Sequence, residues 1–596
     1  MLRPRLLRAA LPLSAYLALA VGLFANAWRA PFATIVGYPG DAFQSIWFLR
    51  WPGFALTHGL NPLLSTYVNH PHGANLMWNT AIPLVGVVLT PLTLTVGPVF
   101  AYNLVMTLAL AVSAWTAYLA IHRYVTTAPA AWLGGLVYGF SPYMMAQSLG
   151  HPHLTIAFVP PLILLALDSL VIRQNRPALF IGIAAGALAA LQLWIGEELL
   201  ASSGLVAILG LFILMELNPD RVRAQSRYAL RALAIASATF TVLAAFPLAV
   251  QFFGPQPLLR SLQPHNLYAT DVLGFFVPTD MQQVAPEPAV GISRHFTGNL
   301  SEWNGYLSLP LIGLLVFTAI RFWPLKVVRF AASLGLLIAG LSLGFTLRFA
   351  GSLTAVASVV VALPLPAFRR VLPARTMVLA LMVVPIALIT VPVIDNLLPS
   401  RLMLYADLMA GFLLATFAQS ALHWPAVRAR GVAVCAIGLT AIALIPRLPY
   451  PSSSAATPSF FTSSSVRQIP EGAVVLVAPF ARIGSGDAML WQAMAGDRFQ
   501  MPEGGVIADG NPYPADPPPS TSLNVLRGIE TGTLPALTLT EPLRQSLLND
   551  LNRWHVRMVI VGPMAHQELV LALYSSVLGA TPSWQGGVYT WTLPDG

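Results

Sequence analysis

The segment Leu11–Ala27, LPLSAYLALAVGLFANA, is an apolar run long enough to cross a bilayer, and a long polar and aromatic loop, Arg29–Thr80, follows it. The string GYPGDAF at 37–43 gives this loop its one acidic residue, Asp41. A loop so long and so rich in polar and aromatic residues is more than a connector. We therefore predict that the chemistry of this chain takes place at the membrane surface that its first helix reaches.

The composition is that of a membrane protein. Of 596 residues, 56% are hydrophobic and 9% are charged, whereas soluble proteins have about 25% charged residues. Apolar stretches of about twenty residues recur from residue 10 to residue 446. The net charge of +9 does not indicate a nucleic-acid partner, because the arginines lie in short clusters between apolar spans. The fold class expected is mainly α, a polytopic transmembrane helix bundle of about thirteen spans among membrane lipids.

The arginine clusters also predict the topology. Arg3, Arg5 and Arg8 place the N-terminus in the cytoplasm, and the loop Asn218–Arg231, with four arginines, is a second cytoplasmic marker. Residues 29–80 and 254–304 then form two long external loops of a multi-pass protein in the cell (inner or plasma) membrane. The span count depends on Ser352–Leu365, which is barely long enough to cross.

The composition changes after Arg447. A Pro/Ser/Thr-rich linker, 448–465, separates the transmembrane domain, 1–447, from a C-terminal domain, 466–596. This domain has two strand-like runs, Ala473–Val477 and Arg557–Val561, and a helical stretch, Leu543–Trp554, which together predict a small α/β extracytoplasmic domain. We find no nucleotide-binding glycine motif in it. We expect it to bind or position an acceptor, or to cover a cavity, and not to carry chemistry.

Asp41 and two histidines are the site candidates of the first loop. Asp41 precedes a predicted helix, Ala42–His58, whose aromatic residues fall near helical spacing and would lie at headgroup depth. A carboxylate there is favoured by the helix dipole, so Asp41 is either an N-cap alone or a catalytic group. The string VNHPHGANL at 68–76 contributes His70 and His72. Such a polar loop is costly to order unless it builds a site.

Further candidates lie at predicted outer ends of spans. His151 and His153, two residues apart, either bind substrate or cap the interface. Acids within the membrane are costly and tend to be functional, which singles out Glu197 and Glu198. The second external loop adds Glu302 and Tyr306 as substrate-binding candidates. Three loop cations could hold a phosphate or simply be solvated: Arg260, Arg294 and His295.

The order of a first helix, an acidic external loop with a juxtamembrane helix, about a dozen spans and an external tail resembles the type-C glycosyltransferases. These are integral membrane enzymes that take a sugar from a polyprenyl-phosphate carrier. The resemblance covers residues 1 to about 320 well and the tail loosely. An uncharacterised bacterial branch of that superfamily is similar in these strings: GDA (40–42), NP (61–62), PHG (71–73), GPVFAYNL (97–104), FSPY (140–143), GH (150–151) and EWNGYL (302–307).

The resemblance implies a hexosyl- or pentosyltransferase. Its donor would be a polyprenyl-phosphate-linked sugar and its acceptor a cell-envelope glycan, lipid or protein on the external face. It also implies that Asp41 is the catalytic base or the group that orients the acceptor. The second acidic residue, or the Asp-x-Asp of the next loop, that is usual in the superfamily is missing. The cofactor is therefore unknown, with a divalent metal as a candidate.

Two other function classes remain open. A membrane transporter or lipid-linked glycan flippase would also have broken helices and intramembrane charges. However, we find no convincing internal repeat, and the polar residues concentrate in external loops and not at mid-membrane. A non-catalytic envelope assembly protein would anchor the tail and leave Asp41 and Glu197 without a chemical role.

Overall fold

The computed structural model describes residues 2–258, 262–264, 266–356, 396–482, 484–508 and 520–594. Most of the predicted span Ser352–Leu365 therefore lies outside the described residues. So do Arg260, the arginines Arg369, Arg370 and Arg375, which the arginine pattern predicts to be cytoplasmic, and Asp395, which it predicts to be external. The chain divides into two compact units. We call Met1–Ala25, Val105–Ala244 and Leu259–Pro451 the helical unit. We call Asn26–Leu104, Ala245–Leu258 and Ser452–Gly596 the mixed unit.

The helical unit is built almost wholly of helices. Two long helices, Pro98–His122 and Pro219–Phe253, contribute residues to both units. A short antiparallel pair of strands, Thr346–Phe349 and Ser352–Val356, accompanies the helices. The other helices of this unit are Leu2–Leu23, Ala128–Gly139, Pro142–Gln147, Pro152–Thr155, Val159–Leu167, Asp168–Arg173, Ala178–Ile195, Glu197–Leu217, Val272–Phe275, Glu287–Ser293, Leu309–Arg321, Lys326–Ser342, Pro399–Leu402, Met403–Leu422 and Val427–Leu444.

Within the described residues, seven helical segments are long and apolar enough to cross a membrane. They are Pro98–His122, Pro152–Arg173, Ala178–Ile195, Glu197–Leu217, Pro219–Phe253, Pro399–Leu422 and Val427–Leu444. The predicted membrane protein and its mainly α fold class are thus confirmed. The most buried segment contains Met403–Leu422, which packs against Ala128–Gly139 and Lys326–Ser342. This central helix supports the polar cluster described below.

Two segments of the helical unit differ from the sequence-based expectation. The apolar pattern also predicts a span at Ala130–Ala146, but this segment is divided: one helix ends at Gly139, and Ser141 caps the next helix by accepting a hydrogen bond from the Met144 N–H. The expectation of a loop at Asn218–Arg231 is wrong, since a helix begins at Pro219 and continues to Phe253. Proline is favoured in the first turn of a helix, and arginine is a good helix former.

The mixed unit joins the first loop to the C-terminal part of the chain. The strand Thr34–Val36 pairs antiparallel with Ser452–Ser454. A second two-stranded pair links Leu64–Ser65 to Ala74–Asn75. The helices of this unit are Ala25–Arg29, Asp41–Thr57, Leu76–Trp78, Pro83–Val88, Thr90–Thr95, Ser459–Thr462, Ser464–Gln468, Asp487–Met494, Thr521–Glu530, Glu541–Arg553 and Gln567–Leu578.

A four-stranded sheet forms the C-terminal core of the mixed unit. Its strand order is Val474–Ala478, Val556–Val561, Val588–Thr592 and Ser583–Gln585, and the first two strands are parallel. These two strands are the ones that the sequence predicts. The predicted helix is also present, at Glu541–Arg553. Apolar side chains of the strands and of three helices pack into one core, including Leu476, Val559, Leu526, Leu547 and Tyr574.

The aromatic helix of the first loop is a core element. It spans Asp41–Thr57 and packs against the helix Asp487–Met494 of the same unit. The side chains of Trp47 and Trp51 are buried and stack on each other. The expectation that the aromatic residues lie at headgroup depth is therefore wrong. Helical spacing of aromatic residues looks the same whether the partner is lipid or protein.

Candidate functional site

A buried cluster of charges lies in the helical unit. Arg401, in the turn Pro399–Leu402 that precedes the central helix, lies between two carboxylates. Its Nη2 and Nε donate to Glu302 Oε1 at 2.6 and 3.0 Å, and its Nη1 donates to Glu198 Oε2. The side chains of Arg401 and Glu302 are 15% and 3% exposed. A guanidinium shared by two carboxylates satisfies charges that would otherwise be too costly to bury.

Glu302 is also hydrogen-bonded by Ser400. The Ser400 hydroxyl donates to Glu302 Oε2 at 2.9 Å, so both carboxylate oxygens are hydrogen-bonded. Burial opposes ionisation of Glu302, but Arg401 and Ser400 outweigh it and lower the pKa of this carboxyl below its ordinary value. Glu302 is therefore an anion at neutral pH.

Two histidines complete this cluster. The rings of His151 and His153 are 6.0 Å apart and nearly perpendicular. His151 lies close enough to Glu302 to favour its charged form. His153 is 5% exposed, and neither of its ring nitrogens has a hydrogen-bond partner among the described residues. Because buried imidazole nitrogens normally have partners, a ligand group is one explanation of this geometry.

The sequence reasoning missed Arg401, although a signal was present. Arg401 directly precedes the apolar run Leu402–Leu422, which leads to Arg428 and Arg430. The arginine pattern makes those two arginines cytoplasmic and therefore predicts that Arg401 lies at the external end of the run. An arginine on that side breaks the positive-inside pattern, which should have singled it out. Glu197 begins the helix Glu197–Leu217 and is half-buried, but among the described residues the ion pairs of Arg401 involve Glu198 and Glu302. Tyr306 is buried on the loop that carries Glu302.

Asp41 lies in the mixed unit, as the first residue of the helix Asp41–Thr57. The N-cap of this helix is Gly40, at φ +86°, so the alternative in which Asp41 is the N-cap is wrong. Asp41 lies near enough to the buried Tyr102 to act on it electrostatically. The hydroxyl of Tyr102 donates to the Val36 carbonyl oxygen at 3.2 Å. The position of the carboxylate in the first helical turn still suits a negative charge.

The polar loop that carries His70 and His72 is ordered by backbone contacts. The Asn69 and His70 N–H groups donate to the carbonyl oxygens of Glu503 and Met501, each at 2.9 Å. His70 is half-buried, and burial lowers its pKa, whereas His72 is exposed. These backbone hydrogen bonds explain why the loop is ordered, so its ordered conformation does not by itself indicate a site.

The predicted site residues therefore fall into two groups. The helical unit contains His151, His153, Glu197, Glu198, Glu302 and Tyr306, and the mixed unit contains Asp41, His70 and His72. In the described part of the chain, no group of three or more histidine, cysteine or acidic side chains is arranged to hold a metal ion. Arg294, considered as a phosphate ligand, instead pairs with Asp280 and Glu287 at the surface.

Comparison with known proteins identifies the family. The family model "Domain of unknown function (DUF6311)" matches residues 34–375. The chain belongs to this family. No curated protein sequence matches the chain.

Several solved structures are similar to this chain. The arabinofuranosyltransferase AftD from Mycobacteria has a TM-score of 0.51 at 16% identity, over 98% of this chain and 40% of its own. An oligosaccharyltransferase from Archaeoglobus fulgidus, solved with Zn and sulfate, has a TM-score of 0.48 at 13% identity, over 96% and 69%. ArnT from Cupriavidus metallidurans, bound to undecaprenyl phosphate, has a TM-score of 0.43 at 11% identity, over 97% of both chains.

The likeness to AftD establishes the fold of type-C (GT-C) glycosyltransferases, as the sequence resemblance predicts. The chain spans 40% of the length of that arabinofuranosyltransferase. At this level of identity the likeness is one of fold.

Proposed function

We propose that this DUF6311 protein is an integral membrane glycosyltransferase that moves a sugar from a polyprenyl-phosphate donor to an acceptor of the cell envelope. The buried cluster of Arg401, Glu198 and Glu302 is the observation that carries the proposal. Charges buried among apolar helices are costly and are retained where they bind or react with a substrate. The GT-C fold supports a sugar transfer over other reactions.

The transfer is a displacement at the anomeric carbon. The acceptor oxygen forms a bond to the sugar C1, while the bond from C1 to the phosphate oxygen breaks and polyprenyl phosphate leaves with the electron pair. The acceptor hydroxyl loses its proton to Asp41, which acts as the general base. Asp41 is proposed for this role on the family resemblance and on its place in the first turn of a helix.

The helical cluster binds the donor in this proposal. Glu198 and Glu302 accept hydrogen bonds from sugar hydroxyls, and Arg401 holds both carboxylates in place. His151 and His153 supply ring N–H groups to the phosphate, whose negative charge grows as the bond to the sugar breaks. The unpartnered ring nitrogens of His153 support its role.

Asp41→Asn tests the proposal directly. We expect correct folding and donor binding but a loss of roughly 10² to 10⁴ in turnover, the range for a positioned acid–base group. Purified protein would be assayed with undecaprenyl-phosphate-linked radiolabelled pentoses and hexoses and an envelope glycan extract. Glu471→Gln, at an exposed carboxylate of the same unit, is the matched control and should keep full activity. Wild-type turnover in Asp41→Asn would sink the proposal.

We also propose that Asp41, Glu197, Glu302 and the segment after Arg447 share the external face of the cell membrane. The arginine pattern supports this orientation. Single cysteines at Thr66, Asn299 and Ser464, which are all exposed, would be labelled from outside intact cells. The exposed native cysteine, Cys435, must first be replaced. Labelling at only one or two of the three positions would contradict the common face.

A further inference from the structure

We propose that the segment 484–505 is a positioning element for Asp41, so that the C-terminal part of the chain sets the rate of transfer without touching substrate. The inference rests on the proposed function, in which Asp41 receives the acceptor proton. It differs from the expectation that the C-terminal residues serve only the acceptor or cover a cavity. All of the contacts that carry it lie within the mixed unit.

The first contact is between two backbones. A Cβ added to Gly40 would lie 2.9 Å from the Gly484 carbonyl oxygen, and one added to Gly486 would lie 2.7 Å from the Gly40 carbonyl oxygen. Both distances are too short for a side chain, so the approach requires glycine on each side. Gly40 is the N-cap of the helix that Asp41 begins. The segment therefore lies directly against the turn that carries the carboxylate.

Two hydrogen bonds fix the following turns of the same helix. The Gln44 side-chain amide donates to the Gly505 carbonyl oxygen, and the Trp47 indole N–H donates to Gln492 Oε1 at 2.6 Å. The Gln492 amide donates in turn to the Phe499 carbonyl oxygen at 2.7 Å. The helix is thus held at residues 40, 44 and 47 by one C-terminal segment.

This arrangement makes the place of Asp41 depend on residues more than 440 positions away in the chain. As the first helical residue, Asp41 moves with the turn at Gly40. A misplacement of about 1 Å in a reacting group can cost roughly 10² in rate. A small displacement of the segment 484–505 should therefore lower turnover while the donor still binds.

Gly486→Ala isolates the contact. The φ of Gly486 is −109°, which alanine adopts without strain, so the variant adds only a methyl group against the Gly40 carbonyl oxygen and the Phe43 Cβ. We expect kcat to fall roughly 10- to 100-fold while KM for undecaprenyl-phosphate-linked sugar stays within about twofold. Should Gly486→Ala fail to fold, Gln44→Met removes the second contact and is measured in the same way.

A control variant separates positioning from loss of stability. Gly528→Ala also adds a methyl group to the mixed unit, where its nearest neighbours are atoms of the Leu534 side chain, the first at 2.5 Å. We expect this control to change thermal stability but not kcat. An equal fall of kcat in Gly528→Ala and Gly486→Ala would overturn the inference, because both would then act through stability.

A double-mutant cycle shows whether the segment acts through Asp41. In the Asp41→Asn background, Gly486→Ala should cause no further loss of turnover, since there is no base left to position. If both single variants lower turnover and their effects multiply, the positioning role is overturned while the proposed function stands. If Asp41→Asn itself is fully active, the proposed function fails.

Discussion

Glu302 in the helical unit and Glu503 in the mixed unit are both buried, 4% and 2% exposed, yet their pKa values are shifted in opposite directions. Arg401 and Ser400 outweigh burial at Glu302 and lower its pKa. At Glu503 the Val477 N–H, 3.1 Å from Oε1, does not offset burial, which raises the pKa to about 8. The groups that contact each carboxyl, and not its burial alone, therefore decide whether the carboxyl is ionised.

Asp497 repeats the behaviour of Glu503. It is fully buried, and burial raises its pKa to about 7 although Arg50 lies 3.4 Å away. The mixed unit thus holds Glu503 and Asp497 with raised pKa values, whereas the helical unit holds Glu302 ionised beside the Arg401 guanidinium. We interpret the first as structural groups and the second as a site.

Arg401→Ala should lower thermal stability and activity more than any other substitution proposed below. It would leave Glu198 and Glu302 without their shared cation, and breaking a buried ion pair in this way costs about 3–5 kcal/mol. We expect a marked loss of thermal stability in detergent and no transfer activity. Glu302→Gln, which keeps a hydrogen-bond acceptor for Arg401, should lose less stability. An unchanged melting temperature in Arg401→Ala would refute the cluster as described.

Glu503→Gln, unlike Arg401→Ala, should stabilise the protein at alkaline pH. The folded carboxyl holds its proton to about pH 8, while the unfolded one ionises near its ordinary pKa. Stability is therefore lost as the pH rises between those two values. Gln removes this penalty, so we expect a gain of about 4 kcal/mol at pH 8 and almost none at pH 4.

The comparison becomes sharper with Glu302→Gln measured over the same pH range. The folded pKa of Glu302 is lowered, so its contribution is present above the ordinary pKa and is lost as the pH falls through the folded value. Glu302→Gln should therefore cost stability at pH 8. Thermal unfolding from pH 4 to pH 8 measures both variants. The same sign for the two substitutions at pH 8 would remove the distinction between the units.

Trp47→Phe should have a smaller effect in the mixed unit. It keeps most of the buried aromatic area but removes the donor to Gln492 Oε1, which costs about 1 kcal/mol. We expect a lower melting temperature and a proportionate increase in proteolysis of the first loop. Trp584→Phe, at a 59% exposed side chain of the same unit, is the control and should be silent. Equal effects of the two substitutions would contradict the core position of Trp47.

The sequence predicted what depends on local pattern. Composition and arginine spacing predicted the membrane class, continuous β-branched runs predicted the strands Val474–Ala478 and Val556–Val561, and the cost of acids in a membrane singled out Glu198. It could not predict contacts between distant segments. Two contacts have no pattern among neighbouring residues that would predict them. They are the pairing of Thr34–Val36 with Ser452–Ser454 and the ion pairs of Arg401 with Glu198 and Glu302. Periodicity also cannot tell a lipid-facing aromatic helix from one buried in protein.

Arg294→Gln should have the smallest effect. Arg294 is 52% exposed, and its partners Asp280 and Glu287 are 32% and 78% exposed, so water already screens all three charges. We expect no measurable change in melting temperature, in turnover or in KM for undecaprenyl-phosphate-linked sugar. If Arg294 held the donor phosphate, the same substitution would raise that KM several-fold at unchanged stability. A raised KM would place the phosphate site on the loop 280–294, away from the buried cluster, and His151 and His153 would lose their proposed role.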